Sequence, residues 1–444
     1  MTAPLERPAH PTFREAFRYW LKLGFISFGG PAGQIAIIHQ ELVGKRRWIS
    51  EHRFLHALNY CMLLPGPEAQ QLAIYIGWML HRSWGGIVAG TLFLLPSLFI
   101  LIALTWVYIT FGDVSFVQGM FTGVKPAVVA IVLFAAWRIG SRALKNNLLR
   151  AFAFVSFLAI FVFNVPFPYI VLGAGILGFI GGRIAPGKFR AGGGHGASSK
   201  SYRPALIDDD TPPPAHVRFR PARLVALTAL FVGLWALALL ALPAGTLHDM
   251  GAFFTKAALM TFGGAYAVLP YVYQGGVEHY HWLTGSQMID GLALGETTPG
   301  PLIMVVAFVG YVGGGTHAVF GPDALFLGGA AGATVATFFT FLPSYLFILT
   351  GAPLIEATRG DLKFTAPLTG ITAAVVGVIV NLAAFFAWHV LWPEGTEATP
   401  FAGQFQWFPA LVSVAAFIAL WKYNLDILKV IGVCAVLGLV YTLV

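Results

Sequence analysis

The chain has 444 residues, of which 57% are hydrophobic and 10% are charged, and its mean hydropathy is +0.75. Soluble globular proteins carry roughly 25% charged residues, so this composition excludes an ordinary water-soluble domain. The net charge of +8 does not indicate nucleic-acid binding, because Lys and Arg lie in short clusters between apolar stretches, which is a membrane-topology signal.

In chain order, the sequence predicts about six apolar blocks, a linker, one further apolar block and about six more. Several blocks exceed the roughly 20 apolar residues that cross a bilayer. The linker is rich in Gly and Ser, then acidic, then rich in Pro, which is typical of a flexible segment. We therefore predict an all-α polytopic integral membrane protein. Its parts are a first repeat (1–182), a cytoplasmic flexible linker (183–221), an unpaired transmembrane helix (222–245) and a second repeat (246–444).

The second part of the sequence repeats the first. The match holds at an offset of 234 residues and continues, after a thirteen-residue insertion, at offsets of 247 and 260. Chance recurrence of Gly and Pro is a poor explanation, because polar and aromatic positions recur with them. The matched positions are Lys22, Ser27–Gly30, Trp48–Ser50 and Pro65–Pro67 with Lys256, Thr261–Gly264, Trp282–Thr284 and Pro299–Pro301, then Leu95–Ser97, Gly123 and Asn164 with Leu342–Ser344, Gly370 and Asn424.

The distribution of Lys and Arg predicts the orientation, because short cytoplasmic loops are enriched in both. In the first repeat the basic connections lie at 45–53 and 138–150. In the second repeat Arg359, Lys363 and Lys422 mark the basic turns, so the pattern is the reverse of the first. The connections without Lys or Arg, which should be external, are those near Asp113 and Asn164 and those at 275–285, 313–323 and 393–404. We predict two inverted-topology repeats related by an in-plane pseudo-twofold axis, with the N-terminus cytoplasmic and the C-terminus external.

The first two apolar blocks of each repeat have two possible arrangements. Basic residues precede the first block of the first repeat and follow both its first and its second block. If each block crossed the membrane once, these basic residues could not all lie in the cytoplasm. A helix–break–helix hairpin would resolve the parity, with breaks around 28–33 and 65–67. The sequence leaves full crossings and re-entrant hairpins open.

The breaks carry distinctive motifs. The first half reads Ser27-Phe28-Gly29-Gly30-Pro31-Ala32-Gly33-Gln34, then Trp48-Ile49-Ser50 and Met62-Leu63-Leu64-Pro65-Gly66-Pro67-Glu68-Ala69-Gln70-Gln71. The second half reads Thr261-Phe262-Gly263-Gly264-Ala265-Tyr266 and Gly295-Glu296-Thr297-Thr298-Pro299-Gly300-Pro301. Over nearly the whole chain, these linked motifs resemble the chromate ion transporter family. The resemblance implies efflux of chromate across a bacterial cytoplasmic (inner) membrane, and with it chromate resistance.

Physical chemistry independently favours an anion site at these motifs. Pro supplies no backbone N–H and disfavours helical geometry in the preceding residue, so both motif types interrupt a helix. A broken helix exposes a new N-terminus, which favours an oxyanion. The plainer alternative is that these prolines only kink helices. The candidate substrate-binding residues are Lys22, Ser27, Phe28, Gly29, Gly30, Pro31, Gly33, Gln34, Pro65, Gly66, Pro67, Gln70, Lys256, Thr261, Gly263, Gly264, Thr297, Thr298, Pro299, Gly300 and Pro301.

Charged residues within apolar runs are further candidates. Lys22 and Lys256 occupy equivalent positions, and the alternative is that each snorkels to an interface. Lys125 is a third candidate cation. Glu68 and Glu296 adjoin the Pro-Gly-Pro motifs, and a carboxylate there would repel a dianion unless it were protonated, so each is a candidate proton carrier or a salt-bridge partner.

The remaining functional classes are weaker. No phosphate-binding loop for ATP appears, the two cysteines imply neither a disulfide nor a zinc site, and no cofactor or metal is predicted. We expect a secondary transporter and not an enzyme, with chromate as substrate, sulfate or another tetrahedral oxyanion as the alternative substrate, and an anion channel as the alternative mechanism. The lipid bilayer is the expected environment, nucleic acid is not a partner, and a homodimer is left open.

Overall fold

The computed structural model describes residues 7–28, 30–189, 204–211, 220–262, 264–357, 365–395 and 399–443. Within these ranges the secondary structure is helical, apart from one isolated β-bridge between Ile49 and Ile207, so the all-α class is confirmed. The first half contains α1 (Phe13–Ile26), α2 (Gly30–His39), a π-helical segment (Gln40–Lys45), α3 (Glu51–Cys61), α4 (Glu68–Phe111), α5 (Ser115–Ala143), α6 (Asn147–Phe161) and α7 (Phe167–Ile184).

The second half follows a peripheral helix. The elements are α8 (Pro221–Leu240), α9 (Thr246–Leu259), α10 (Ala265–Tyr273), a second π-helical segment (Gln274–His279), α11 (Gly285–Thr297), α12 (Val305–Thr316), α13 (Leu325–Ala357), α14 (Thr365–Leu391), α15 (Trp407–Trp421) and α16 (Ile427–Leu443). Helices α9 to α16 thus follow the order of α1 to α7, with α12 and α13 together in the place of α4. Helix α4 itself breaks at His81 and Arg82, where the backbone leaves the helical region.

The recurring Trp-Ile-Ser and Trp-Leu-Thr sequences have a local structural role. The Ser50 hydroxyl accepts the backbone N–H of Arg53 and caps α3, and the Thr284 hydroxyl accepts that of Gln287 and caps α11. Such caps satisfy N–H groups that have no partner within the helix. This part of the repeat therefore fixes where two helices begin.

The first two blocks of each half fold back as hairpins. Helix α1 has 14 residues, a length of about 21 Å against a hydrocarbon core of about 30 Å. After α2 the chain returns to Trp48, whose ring lies 5.4 Å from that of Tyr19 in α1. The first part of α4 likewise ends at His81, which donates to the Pro11 carbonyl just before α1 at 3.0 Å. The structure therefore favours hairpins over full crossings.

The same fold-back occurs in the second half. Phe253 of α9 packs against Tyr280, with ring centroids 5.7 Å apart, and Thr316 Oγ1 at the end of α12 lies 3.3 Å from the Trp282 carbonyl oxygen. Left-handed backbone conformations also recur at equivalent positions, since φ is +53° at Arg47 and +51° at His281. The backbone shape of the loops is therefore repeated together with their sequence.

Contacts between the halves are reciprocal. Helix α4 packs on α13 and α5 packs on α14, while α7 packs on α14 in the way that α16 packs on α5. A Cβ placed on Gly123 of α5 would meet the Cys434 carbonyl, and one on its equivalent Gly370 would meet the Ala174 carbonyl. A two-fold axis generates such exchanged contacts. The predicted inversion of the two repeats across the membrane stays a prediction.

The outer surface is that of a membrane protein. Six helices among the described residues, α4, α5, α7, α8, α13 and α14, are long and apolar enough to cross a bilayer. Helix α8 has no buried residue and contacts the rest mainly through α9 and α13. A helix that is apolar on all sides and exposed within the protein suits a lipid environment.

Part of the predicted linker is docked. Ile207 is buried and pairs with the loop before α3, because its N–H donates to the Trp48 carbonyl at 3.1 Å and its carbonyl accepts from Ser50 at 2.9 Å. Asp210 forms an ion pair with Arg7. Most of the Gly/Ser-rich and Pro-rich stretches fall outside the described residues.

Candidate functional site

Each Pro-Gly-Pro motif lies against the end of a hairpin helix in the other half. The backbone N–H of Gly66 donates to the Thr261 carbonyl at 2.8 Å, and that of Gly300 donates to the Ser27 carbonyl at 2.8 Å. Because Gly66 is equivalent to Gly300 and Ser27 to Thr261, the two bonds are the same contact exchanged. They bring all four helix breaks together at the interface between the halves.

The two motif glycines have no room for a side chain. Gly66 has φ +120° and Gly300 has φ +103°, a region that L-residues rarely adopt. A Cβ on Gly66 would lie 2.8 Å from Ser344 Oγ, and one on Gly300 would lie 2.8 Å from the Cβ of Ser97. Ser97 and Ser344 are themselves repeat equivalents. The repeated Leu-Pro-Ser sequences thus supply the surfaces that cover the Pro-Gly-Pro motifs.

Four hydroxyl groups predicted as ligands are engaged within the chain. Those of Ser27 and Thr261 donate to carbonyls one turn back in α1 and α9, at 2.6 and 2.7 Å, and those of Thr297 and Thr298 donate to carbonyls of α11 at 2.9 and 3.0 Å. A hydroxyl has one proton to donate. In this conformation these groups end helices and do not offer a donor to an anion.

Three helix N-termini at the breaks carry no side-chain cap. Helix α4 follows Pro67, α10 follows Gly264, and the 3₁₀ turn that leads into α12 follows Pro301, and none of these preceding residues caps its helix. The first N–H groups of a helix lack partners within it. The breaks therefore present backbone donors and the positive ends of helix dipoles in one region.

The two amides near the first break differ in their bonding. Gln34 donates to the carbonyl of Gly300 at 2.5 Å and so helps to hold the two halves together. Gln70 is completely buried near the Tyr345 hydroxyl, and neither polar atom of its side chain makes a hydrogen bond of ordinary geometry among the described residues. A buried amide that makes no hydrogen bond of ordinary geometry is costly. It therefore marks a place where a ligand or a water would be bound.

The carboxyl groups flank the site. Glu68 is the first residue of α4. Glu296 lies near the end of α11 and accepts a hydrogen bond from Tyr266, whose hydroxyl also experiences the charge of Arg138. A carboxyl and a phenol in hydrogen-bond contact can hold a proton between them.

The two repeat-equivalent lysines lie in the helices that precede the breaks, Lys22 in α1 and Lys256 in α9. Lys22 and Lys256 are exposed, and their ammonium groups form no hydrogen bond or ion pair within the described ranges. This exposure agrees with the alternative that each lysine side chain snorkels to a membrane interface. Phe28, Gly30, Pro31 and Gly33 line the first break and are partly exposed, whereas the predicted Gly29 and Gly263 fall outside the described residues.

The sequence analysis did not identify the pairing of Lys125 with Asp290. Lys125 Nζ lies 3.5 Å from Asp290 Oδ2 and donates to Ser286 Oγ at 2.7 Å. The two charged residues are far apart in the sequence, and the only signal was that each stands alone in an apolar stretch. Among the described residues no three His, Cys, Asp or Glu side chains form a cluster that could hold a metal.

Comparisons with known proteins agree with the motifs. The family model described as "Chromate transporter" matches residues 14–179 and 248–439, one stretch in each half. Similar proteins include the chromate transport protein of Pseudomonas aeruginosa, 32% identical over 97% of this chain and 93% of that protein, and the chromate transport protein of Cupriavidus metallidurans, 31% identical over 85% and 83%. The probable chromate transport protein of Synechococcus elongatus is 26% identical over 97% of each chain. No solved structure matches the chain significantly.

Proposed function

The chain belongs to the chromate transporter family, and from that premise we propose that it carries chromate out of the cytoplasm through the site at which its four helix breaks meet. The observation that carries this proposal is the exchanged pair of bonds from Gly66 to Thr261 and from Gly300 to Ser27. These bonds assemble uncapped helix ends from both halves around one point. Transporters built from two repeats commonly bind substrate at such a place.

The chemistry of the site suits an oxyanion. Backbone N–H groups and helix dipoles attract negative charge without requiring a lysine. The four hydroxyl groups described above donate within the chain, whereas the buried Gln70 amide can supply a side-chain N–H donor to the anion. We therefore place the anion at the helix N-termini beside Gln70, and assign Lys22 and Lys256 the role of raising the local anion concentration.

Membrane potential supplies the energy for efflux in this proposal. Moving two negative charges out of a negative interior is favoured by about 4.6 kcal/mol per 100 mV, twice the value for one charge. Protons are a further energy source, for which Glu68 and Glu296 are the first candidates. The proposed location is the cytoplasmic membrane of a bacterium, with the N-terminus inside, as the distribution of Lys and Arg predicts.

Uptake of labelled chromate into inverted vesicles tests substrate and direction together. Membrane potential is set independently and sulfate is the competitor. Saturable, potential-dependent accumulation that excess sulfate only partly suppresses supports a chromate efflux carrier. Sulfate flux without chromate flux would overturn the substrate, and flux that does not saturate would favour a channel.

A further inference from the structure

A second polar site lies away from the helix breaks. An open cavity of about 530 Å³ is lined by the end of α4, the first half of α5 and the start of α11. Its lining includes Tyr108, Asp113, Lys125, Ser286 and Asp290. The α4–α5 connection and the loop before α11 both lack Lys and Arg, so both are predicted to be external, and the structure brings these two loops together at one cavity.

Asp290 is the buried charge of this cavity. Asp290 is only 3% exposed. Oδ2 accepts from the Tyr108 hydroxyl at 2.8 Å and lies 3.5 Å from Lys125 Nζ, whereas Oδ1 is buried and has no hydrogen-bond partner among the described residues. A buried carboxylate oxygen without a partner is costly in its charged form, and a proton removes that charge.

The charges around Asp290 favour the binding of a proton in this cavity and disfavour the binding of an anion there. The cavity contains two carboxyl groups, Asp113 and Asp290, and one lysine, Lys125. With all three ionised the sum is −1, which repels a dianion. A proton is attracted by the same field, and the water-accessible cavity gives it a route to the carboxyl group.

Within the part of the chain that the structure describes, few other titratable groups face this carboxyl group. Helix α14 places His389 near Gly285, at the start of α11. Helix α12 contains no charged residue, and the only one in α16, Lys429, lies at the opposite end of that helix from Thr442, which adjoins Gly119 near the cavity. Lys125 and Tyr108 are thus the groups in direct contact with Asp290.

The pair occurs in one half only. The repeat equivalent of Asp290 is His56, and that of Lys125 is Thr372. In a protein whose halves otherwise exchange contacts, a charge pair in one half makes the two faces unequal. A site that senses the proton concentration on a single face needs this kind of asymmetry.

We propose that Asp290 is a proton-binding site reached from the outer face, and that its protonation releases Lys125 and couples proton binding to anion transport. The inference rests on the proposed transport function. In the proton-free state the Lys125–Asp290 ion pair holds α5 against α11. Protonation removes the attraction, so the cavity wall between these helices is free to rearrange. Because α11 also carries Glu296, movement of this helix reaches the central site directly.

The test compares the pH dependence of chromate flux in four variants. Purified full-length protein is reconstituted in liposomes with membrane potential clamped and with equal pH on both sides. The variants are Asp290→Asn, Lys125→Gln, the double variant, and Asp113→Asn as a control that removes a carboxylate from the same cavity. Protonation of chromate itself is the same for every variant, so differences between the profiles belong to the protein.

Loss of the lysine should make protonation of Asp290 easier, so the midpoint of the Lys125→Gln profile moves to higher pH by about one unit or more. Asp290→Asn removes that part of the profile, and the double variant matches Asp290→Asn alone. Asp113→Asn removes an exposed negative charge, so its midpoint moves to lower pH and by less than that of Lys125→Gln. A Lys125→Gln profile at the wild-type midpoint overturns the inference, even where Asp290→Asn fails to fold. Wild-type chromate flux that is indifferent to pH also overturns it but leaves the transport function standing, whereas no chromate flux at all defeats the proposed function itself.

Discussion

The neighbouring side-chain amides of Gln70 and Gln71 are expected to have different roles, one in binding and one in structure. Gln70 is buried without hydrogen bonds of ordinary geometry, whereas Gln71 donates to the Pro65 carbonyl at 2.8 Å. We predict that Gln70→Leu leaves the unfolding midpoint unchanged or raises it, because it removes an unsatisfied amide, while it weakens chromate binding about tenfold, or about 1.4 kcal/mol. Gln71→Leu should instead lower the midpoint. Equilibrium binding and thermal unfolding of both variants in detergent provide the comparison, and a destabilised Gln70→Leu protein that binds normally would assign this amide to packing.

The motif glycines allow a second test of the same scale. Gly300→Ala places a Cβ 2.8 Å from that of Ser97 and forces an L-residue to φ +103°, so we expect a loss of stability of about 1–2 kcal/mol or more, together with loss of transport. Gly173→Ala is the matched control, because nothing lies within 4 Å of its added Cβ and the position is helical. Adding Ser97→Gly to Gly300→Ala should recover the steric part of the loss. Wild-type unfolding and transport in Gly300→Ala would contradict this account of the motif.

At the scale of elements, the hairpins determine which side each loop reaches. If α1 and α2 fold back, cysteines in place of the exposed Arg14 and Gly44 should react with a membrane-impermeant maleimide from the same side, whereas a single crossing would put them on opposite sides. The native Cys61 and Cys434 are buried, which keeps background labelling low. Labelling in right-side-out and inverted vesicles decides between the two arrangements.

Element order could be predicted from sequence, and the contacts between elements could not. The break expected at 65–67 lies in the gap before α4, whereas the one expected at 28–33 only overlaps the gap at 27–29, since α2 already begins at Gly30. Gly and Pro act locally, which is why the sequence places both breaks approximately. The sequence did not predict that the Ser27 and Thr261 hydroxyl groups bond to their own helices. A hydroxyl beside a helix break can either end that helix or bind a ligand, and the sequence pattern is the same in both cases. The kink at Arg82 could not be predicted, because no proline lies beside it. The contact of Lys125 with Asp290 depends on packing between two helices that are distant in the sequence.

At the scale of the whole molecule, the exchanged contacts are those that a two-fold relation between the halves predicts, and such an axis has two possible orientations. An axis in the membrane plane puts equivalent loops on opposite faces, whereas an axis along the membrane normal puts them on the same face. Lys45 and His279 are equivalent and exposed, as are Phe163 and Tyr423. Single cysteines at these positions should label from opposite sides within each pair, with 45 and 423 cytoplasmic and 163 and 279 external. Labelling of both members of a pair from one side would reject the inversion while leaving the exchanged contacts intact. Opposite labelling would establish the inversion, and an external position 279 would put the Lys125–Asp290 pair near the outer face, where the proposed proton-binding site must lie.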